Sequence, residues 1–157
     1  MTEPRYQLTE DVQLAIAASQ AIATELGHAQ VEPEDLLLAA LRSELVIRAL
    51  AGISVDARAL GERLFNAAPR GKHFHSGQRR YSARAGRPMM RLWKEAKGLG
   101  QSHADTISML VALLQPPPSR FLFLFRRRVP PFWQEIHRVG LDRARVIDGL
   151  GHPDGAA

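Results

Sequence analysis

The sequence predicts an all-α fold built from two similar halves of about four helices each, related by a pseudo-two-fold rotation. Three observations predict it. First, Leu26 to Leu41 reads as a helix end, a tight turn and the start of a very apolar helix. Gly27 follows the last apolar residue of a periodic run, Pro33 opens the next helix, and Glu34 and Asp35 suit its positive end. Second, the chain writes this stretch twice. Leu99 to Leu114 repeats it 73 positions later, pairing Leu26 with Leu99, Gly27 with Gly100, Glu32 with Asp105 and Leu37 with Leu110. Upstream, Leu8-Thr9 pairs with Tyr81-Ser82 at the same offset. Third, there are only two copies, which favours a compact bundle over a solenoid.

In chain order, Thr9 to Leu26 is the first helix, with Thr9 as its cap and Glu10 and Asp11 in its first turn. Its alanines raise helix propensity and admit a close neighbour. Pro33 to Arg42 is the second helix; Leu36-Leu37-Leu38 leaves it no polar face, so it should be buried on most sides. Glu44 to Ala51 is a short third helix, ended by Gly52, and Val55 to Ala67 is the fourth. Residues 68–80 form a linker, where Pro69, Gly71 and Gly77 break regular structure and polar residues solvate it.

The second half repeats the order. Ser82 to Leu99 reads as one long helix, imperfect because Gly86 and Pro88 fall in its first two turns, with a regular start expected only near Pro88. Asp105 to Gln115 is the buried helix, Phe132 to Val139 a short one ended by Gly140, and Leu141 to Leu150 the last. The division expected is therefore repeat one over 8–67, the linker over 68–80 and repeat two over 81–150, with a frayed tail at 151–157.

One segment has no counterpart. Aligning Asp142 with Asp56 gives an offset of 86, so about 13 residues are inserted within 116–131. Prolines bracket Phe121-Leu122-Phe123-Leu124-Phe125 and Arg126-Arg127-Arg128. Exposing three phenylalanines would forgo roughly 1.5–3 kcal/mol each. Two readings stay open: a loop tucked against the bundle with the arginines outside, or an exposed hydrophobic-basic patch that docks a partner.

A chain of 157 residues suffices for one domain with a proper core. It has no cysteine, which excludes disulfide and thiolate chemistry and fits a cytoplasmic protein. No apolar h-region follows Met1, and no apolar run approaches the roughly 18 residues of a membrane span. The charge is lopsided: residues 1–69 carry five arginines against ten carboxylates, and residues 70–157 sixteen Lys or Arg against six. A basic half invites nucleic acid or another acidic surface, although no nucleic-acid motif accompanies it.

No catalytic constellation emerges. His73 and His75 lack a third ligand, His28 is expected to solvate a helix end, and His103 with Asp105 reads as capping chemistry. Trp93 and Trp133 have apolar neighbours and read as core. Gly-x-x-x-x-Gly-Lys-Ser/Thr does not occur; Gly71-Lys72 stands alone in the linker. Without that phosphate cradle the chain is not expected to hydrolyse ATP, and no enzyme, cofactor or metal is expected.

The pattern Leu-Thr … Leu-Gly-His … Val31-Glu-Pro-Glu-Asp-Leu-Leu-Leu-Ala-Ala-Leu41, followed by Gly52-Ile-Ser-Val-Asp-Ala-Arg-Ala-Leu, resembles the N-terminal domain of the ClpA, ClpB and ClpC unfoldases over about residues 6–150. In the second half Tyr81-Ser82-x-Arg84-Ala85, Leu99-Gly100 and Met109 to Leu114 carry the likeness. The resemblance implies two four-helix repeats that bind substrates or adaptors and pass them to an ATP-driven ring. It implies, as partners, a Clp-type AAA+ ATPase, its adaptors or its substrates, with an accessory, adaptor or decoy role. Met1 and the Gly-Ala-Ala end lead us to expect a free-standing module.

In ClpC relatives a glutamate at the start of each repeat's buried helix helps bind phosphorylated arginine. Glu34 falls on that position, but its counterpart is Ile107, and Pro33 replaces the preceding threonine, which Thr106 retains. The plain reading of Glu34 is a first-turn carboxylate at a helix dipole. Tyr81 lies where relatives border a hydrophobic ligand groove. The expected protein-binding residues are therefore Glu34, Tyr81, Phe121, Phe123, Phe125, Arg126, Arg127 and Arg128.

Overall fold

The structure, a computed structural model, describes residues 7–115 and 129–151. Among these residues it is all-helical, with isolated β-bridges but no strand. The first half supplies α1 (Glu10–Leu26), α2 (Pro33–Ala40), α3 (Glu44–Ala51) and α4 (Ala57–Ala67). The second supplies α5 (Ala83–Met90), α6 (Leu92–Gly98), α7 (Thr106–Leu113), α8 (Pro131–Arg138) and α9 (Arg143–Gly151). Expected boundaries hold to within two residues for most helices.

The central pair is α2 and α7. Every residue of both is buried, and the two pack against each other. Each opens with a reciprocal cap. The Glu32 side chain accepts from the backbone N–H of Asp35, while the Asp35 carboxylate accepts from Glu32 N; Asp105 and Ser108 repeat the arrangement. Around this pair the halves interlock. The last helix of each half packs on the last but one of the other, α4 on α8 and α9 on α3. Phe132 of α8 and Leu50 of α3 are fully buried, each contributing about 1.5–3 kcal/mol of transfer free energy.

The helix ends obey the two-fold. Gly27 and Gly100 end α1 and α6 in the left-handed region, at φ +73° and +72°. His28 N and Gln101 N then donate back to Ala23 O and Ala96 O, at 2.8 and 2.9 Å. Gly52 ends α3 as expected, in the right-handed region; the left-handed residue is Ser54, at φ +61°, where the second half has Gly140 at +66°. Thr9 corrects an expectation: it occupies the cap position of α1 without a side-chain capping bond, because its hydroxyl faces Asp11 and the Ala104 carbonyl.

The long helix expected over 82–99 is two helices. It starts at Ala83, not near Pro88, because Ser82 Oγ accepts from Ala85 N at 3.1 Å. It breaks at Arg91, whose N–H closes a tight turn onto Pro88 O at 3.0 Å. Gly86 and Pro88 weaken the ladder just ahead of that break.

Candidate functional site

The two repeats meet at two joins related by the 73-residue offset. At one, Val31 bridges Tyr81, Val31 N donates to Arg80 O (2.9 Å), and Ser82 N donates to Val31 O (3.0 Å). At the other, Leu8 bridges Ala104 and Thr9 N donates to Ala104 O (3.1 Å). Each bridge ties the residues ahead of one repeat's first helix to the residues ahead of the other's buried helix.

The joins share a backbone but have opposite chemistry. At the α7 join, Asp11 occupies the helix N-terminus, and its Oδ2 accepts from Thr106 N (3.0 Å) and Thr106 Oγ1 (2.6 Å). Burial pushes the Asp11 carboxyl up, but the bonds from Thr106 and Thr9 outweigh it and hold its pKa below the ordinary carboxylate value. Ser43 Oγ lies 2.7 Å from Thr106 Oγ1 and closes the cluster.

At the α2 join, the counterpart of Asp11 is Arg84. Its Nη2 donates to Glu34 Oε1 at 3.3 Å, and Nη1 lies 3.9 Å from Glu32 Oε2. Trp133 Nε1, from α8, donates to the same Glu34 oxygen at 3.1 Å. Ser82 Oγ donates to Glu32 Oε2 at 2.8 Å. Glu34 is only 4% exposed and is held by Arg84 and half-buried Trp133, while half-buried Tyr81 joins through its backbone bridge to Val31. Burial pushes the Tyr81 phenol up.

Tyr81 and Glu34 therefore come together at one join. Phe121, Phe123, Phe125, Arg126, Arg127 and Arg128 lie outside the described residues. Arg84 and Trp133 were not among the expected site residues. Arg84 was recognisable only as the partner of Asp11 under the repeat offset, and Trp133, read as core, is amphipathic here: it meets Phe132 edge-on at 5.4 Å and offers its N–H to Glu34.

The linker is latched beside this join. His28 is buried, against the expectation that it solvates a helix end. Its Nδ1 lies 2.9 Å from the Asp35 carboxylate and its Nε2 2.7 Å from Pro69 O. The Asp35 bond raises its pKa; burial opposes, and the Pro69 carbonyl adds to the rise. Arg79 is 3% exposed in a segment expected to be solvated. Its guanidinium donates to His28 O (2.7 Å), Thr24 Oγ1 (2.6 Å), His73 O (2.8 Å) and His75 O (2.9 Å).

The family model for the Clp repeat (R) N-terminal domain matches residues 7–126. The chain belongs to this family. Solved structures similar to this Clp repeat domain share its fold. One comes from preliminary structural investigations of a malarial protein secretion system, with TM-score 0.70, 15% identity, and 92% of each chain covered. The Hsp104 N-terminal domain from Candida albicans gives 0.68 at 14% identity, over 96% of this chain and 93% of that one. The N-terminal domain of the caseinolytic protease associated chaperone ClpD from Arabidopsis thaliana gives 0.59 at 14%, with 96% of each covered. No curated protein matches. Among the described residues of this Clp repeat domain, no helix is long and apolar enough to cross a membrane.

Proposed function

We propose that the protein is a non-enzymatic interaction module that binds substrates or adaptors of a Clp-type AAA+ ATPase, acting in the cytoplasm as accessory, adaptor or decoy. The observation that carries the reading is the α2 join. A buried carboxylate, Glu34, is held by Trp133 and Arg84 beside the Val31–Tyr81 bridge, which sets aromatic residues next to a fixed orienting charge. Membership of the Clp repeat family supports it. The Phe121, Phe123, Phe125 and Arg126 to Arg128 segment is proposed as part of the same partner surface, on its sequence alone.

The test mixes the chain with a purified Clp-type ATPase ring and its protease, and follows degradation of an unfolded substrate. Faster degradation marks an adaptor or accessory, slower degradation a decoy, and Tyr81→Ala should abolish either effect. An unchanged rate together with no binding to ring or substrate removes the proposal. Replacing 116–128 by a glycine-serine link should leave helicity intact and weaken binding. The other reading, a basic module for nucleic acid, predicts DNA binding that falls steeply with salt.

A further inference from the structure

A second concave surface lies on the first repeat, away from the joins. It is a groove of about 520 Å³ between α2, α3 and α4. Leu38, Leu41 and Ala57 form its floor, and Ile47 and Phe65 its half-buried walls. Arg42 and Arg58 stand exposed at its rim, neither with a hydrogen bond or ion pair from its guanidinium among the described residues. Glu62 is the one carboxylate among the lining residues.

The pseudo-two-fold shows what would close such a groove. The counterpart of Ala57 is Arg143, that of Gly61 is Ile147, and that of Arg42 is Gln115. There the side chains bond one another. Arg143 Nη2 donates to Glu95 Oε2 at 2.9 Å, Gln115 Nε2 donates to Glu95 Oε1, and Arg91 donates to Gln115. In the first repeat Ala57 and Gly61 are small, and neither Arg42 nor Arg58 has an ion pair among the described residues.

We infer that this groove binds an apolar peptide segment flanked by carboxylates, on a partner protein. The floor and walls accept two or three apolar side chains, and Arg42 and Arg58 meet the flanking acids. The same charge argues against the chain's own Phe121 to Phe125 run as occupant, because Arg126 to Arg128 would face Arg42 and Arg58. This site stands apart from the Tyr81 join, so either can fail without the other.

The probe is a fluorescein-labelled peptide in which leucine and phenylalanine are interspersed with pairs of glutamates, titrated against the full chain by anisotropy. Its counterpart carries lysines in place of the glutamates. A Cβ at Gly61 meets nothing within 4 Å, so Gly61→Leu adds bulk in the groove without a backbone clash. The glutamate peptide should bind and the lysine peptide should not; Gly61→Leu should abolish binding with its thermal midpoint kept. Arg42→Glu and Arg58→Glu should each weaken binding about two- to fivefold, and they test the rim if the Gly61 variant fails to fold. Amide shifts in two-dimensional NMR should centre on Ile47 and Phe65. The inference is overturned if neither peptide binds, if both bind alike, if binding survives a folded Gly61→Leu, if the shifts centre on Tyr81 and Trp133, or if the groove serves instead to dimerise the chain.

Discussion

Trp133 donates its indole N–H to Glu34 Oε1 at 3.1 Å, joining residues 99 positions apart. The bond fastens α8 to the first turn of α2 and leaves a single carboxylate oxygen serving two donors, Trp133 and Arg84. Removing Glu34 takes the acceptor from the Trp133 indole N–H and leaves Arg84 with Glu32 alone. Glu34→Ala should destabilise the fold by about 1–3 kcal/mol and shift the tryptophan emission, with Trp133→Phe removing the shift. Urea denaturation followed by fluorescence checks both; an emission spectrum unchanged by Glu34→Ala would count against the contact.

His28 makes stability depend on pH in a defined direction. Its folded pKa is raised above the ordinary 6.5. The protonated ring is favoured in the fold, so this contribution is fully present below the unfolded value and fades as pH rises through the folded one. The stability gap between wild type and His28→Gln should therefore be widest in mildly acidic buffer and narrow as the solution turns alkaline, read from urea midpoints across that range.

Asp11 works in the opposite sense. Its folded pKa lies below the ordinary 3.8, so its contribution is present above that value and lost as pH falls through the folded one. Asp11→Asn should lower the thermal midpoint at neutral pH and match wild type in strong acid. A midpoint difference that persists in strong acid would mean that Asp11 acts by shape alone.

Arg79 holds the linker through four acceptors on α1, the following turn and the linker itself. Arg79→Ala should cost about 1.5–3 kcal/mol or more, because several neutral acceptors lose one charged donor. It should also expose Arg70 and Lys72 to trypsin in the folded state. Arg79→Lys should rescue little, because a point charge cannot replace the planar fork.

Gly27 and Gly100 share a backbone conformation but not an environment. A Cβ at Gly27 would lie 2.5 Å from Gly71 O, whereas at Gly100 nothing lies within 4 Å. Gly100→Ala should cost about 1–2 kcal/mol for the left-handed conformation alone. Gly27→Ala should cost clearly more, and the excess in calorimetry measures the closeness of the linker.

Much of this architecture is legible in the residues. Apolar periodicity marks α1, α2 and α7, and Gly27, Pro33 and Gly100 punctuate them, because helix formation and capping are decided within a few residues. The 73-residue offset foretells which segments are equivalent. It does not tell which polar groups meet. Arg84 reaches Glu34 across 50 positions, Trp133 across 99, and Thr106 reaches Asp11 across 95. The lopsided charge read as an invitation to an acidic partner, yet Arg84 pairs with carboxylates of the acidic half.

By itself, then, the sequence determined most of the helices, their order and the duplication, though not the break at Arg91, since local backbone energetics and one-face hydrophobicity need no distant partner. Only the tertiary structure decided that Arg79 and His28 are buried, that Asp11 caps one buried helix while its counterpart Arg84 meets two carboxylates at the other, and that Arg143 pairs with Glu95 where the first repeat has Ala57 at an open groove. Those outcomes depend on groups brought together across the two-fold, where desolvation makes each buried charge take a partner that no local pattern names.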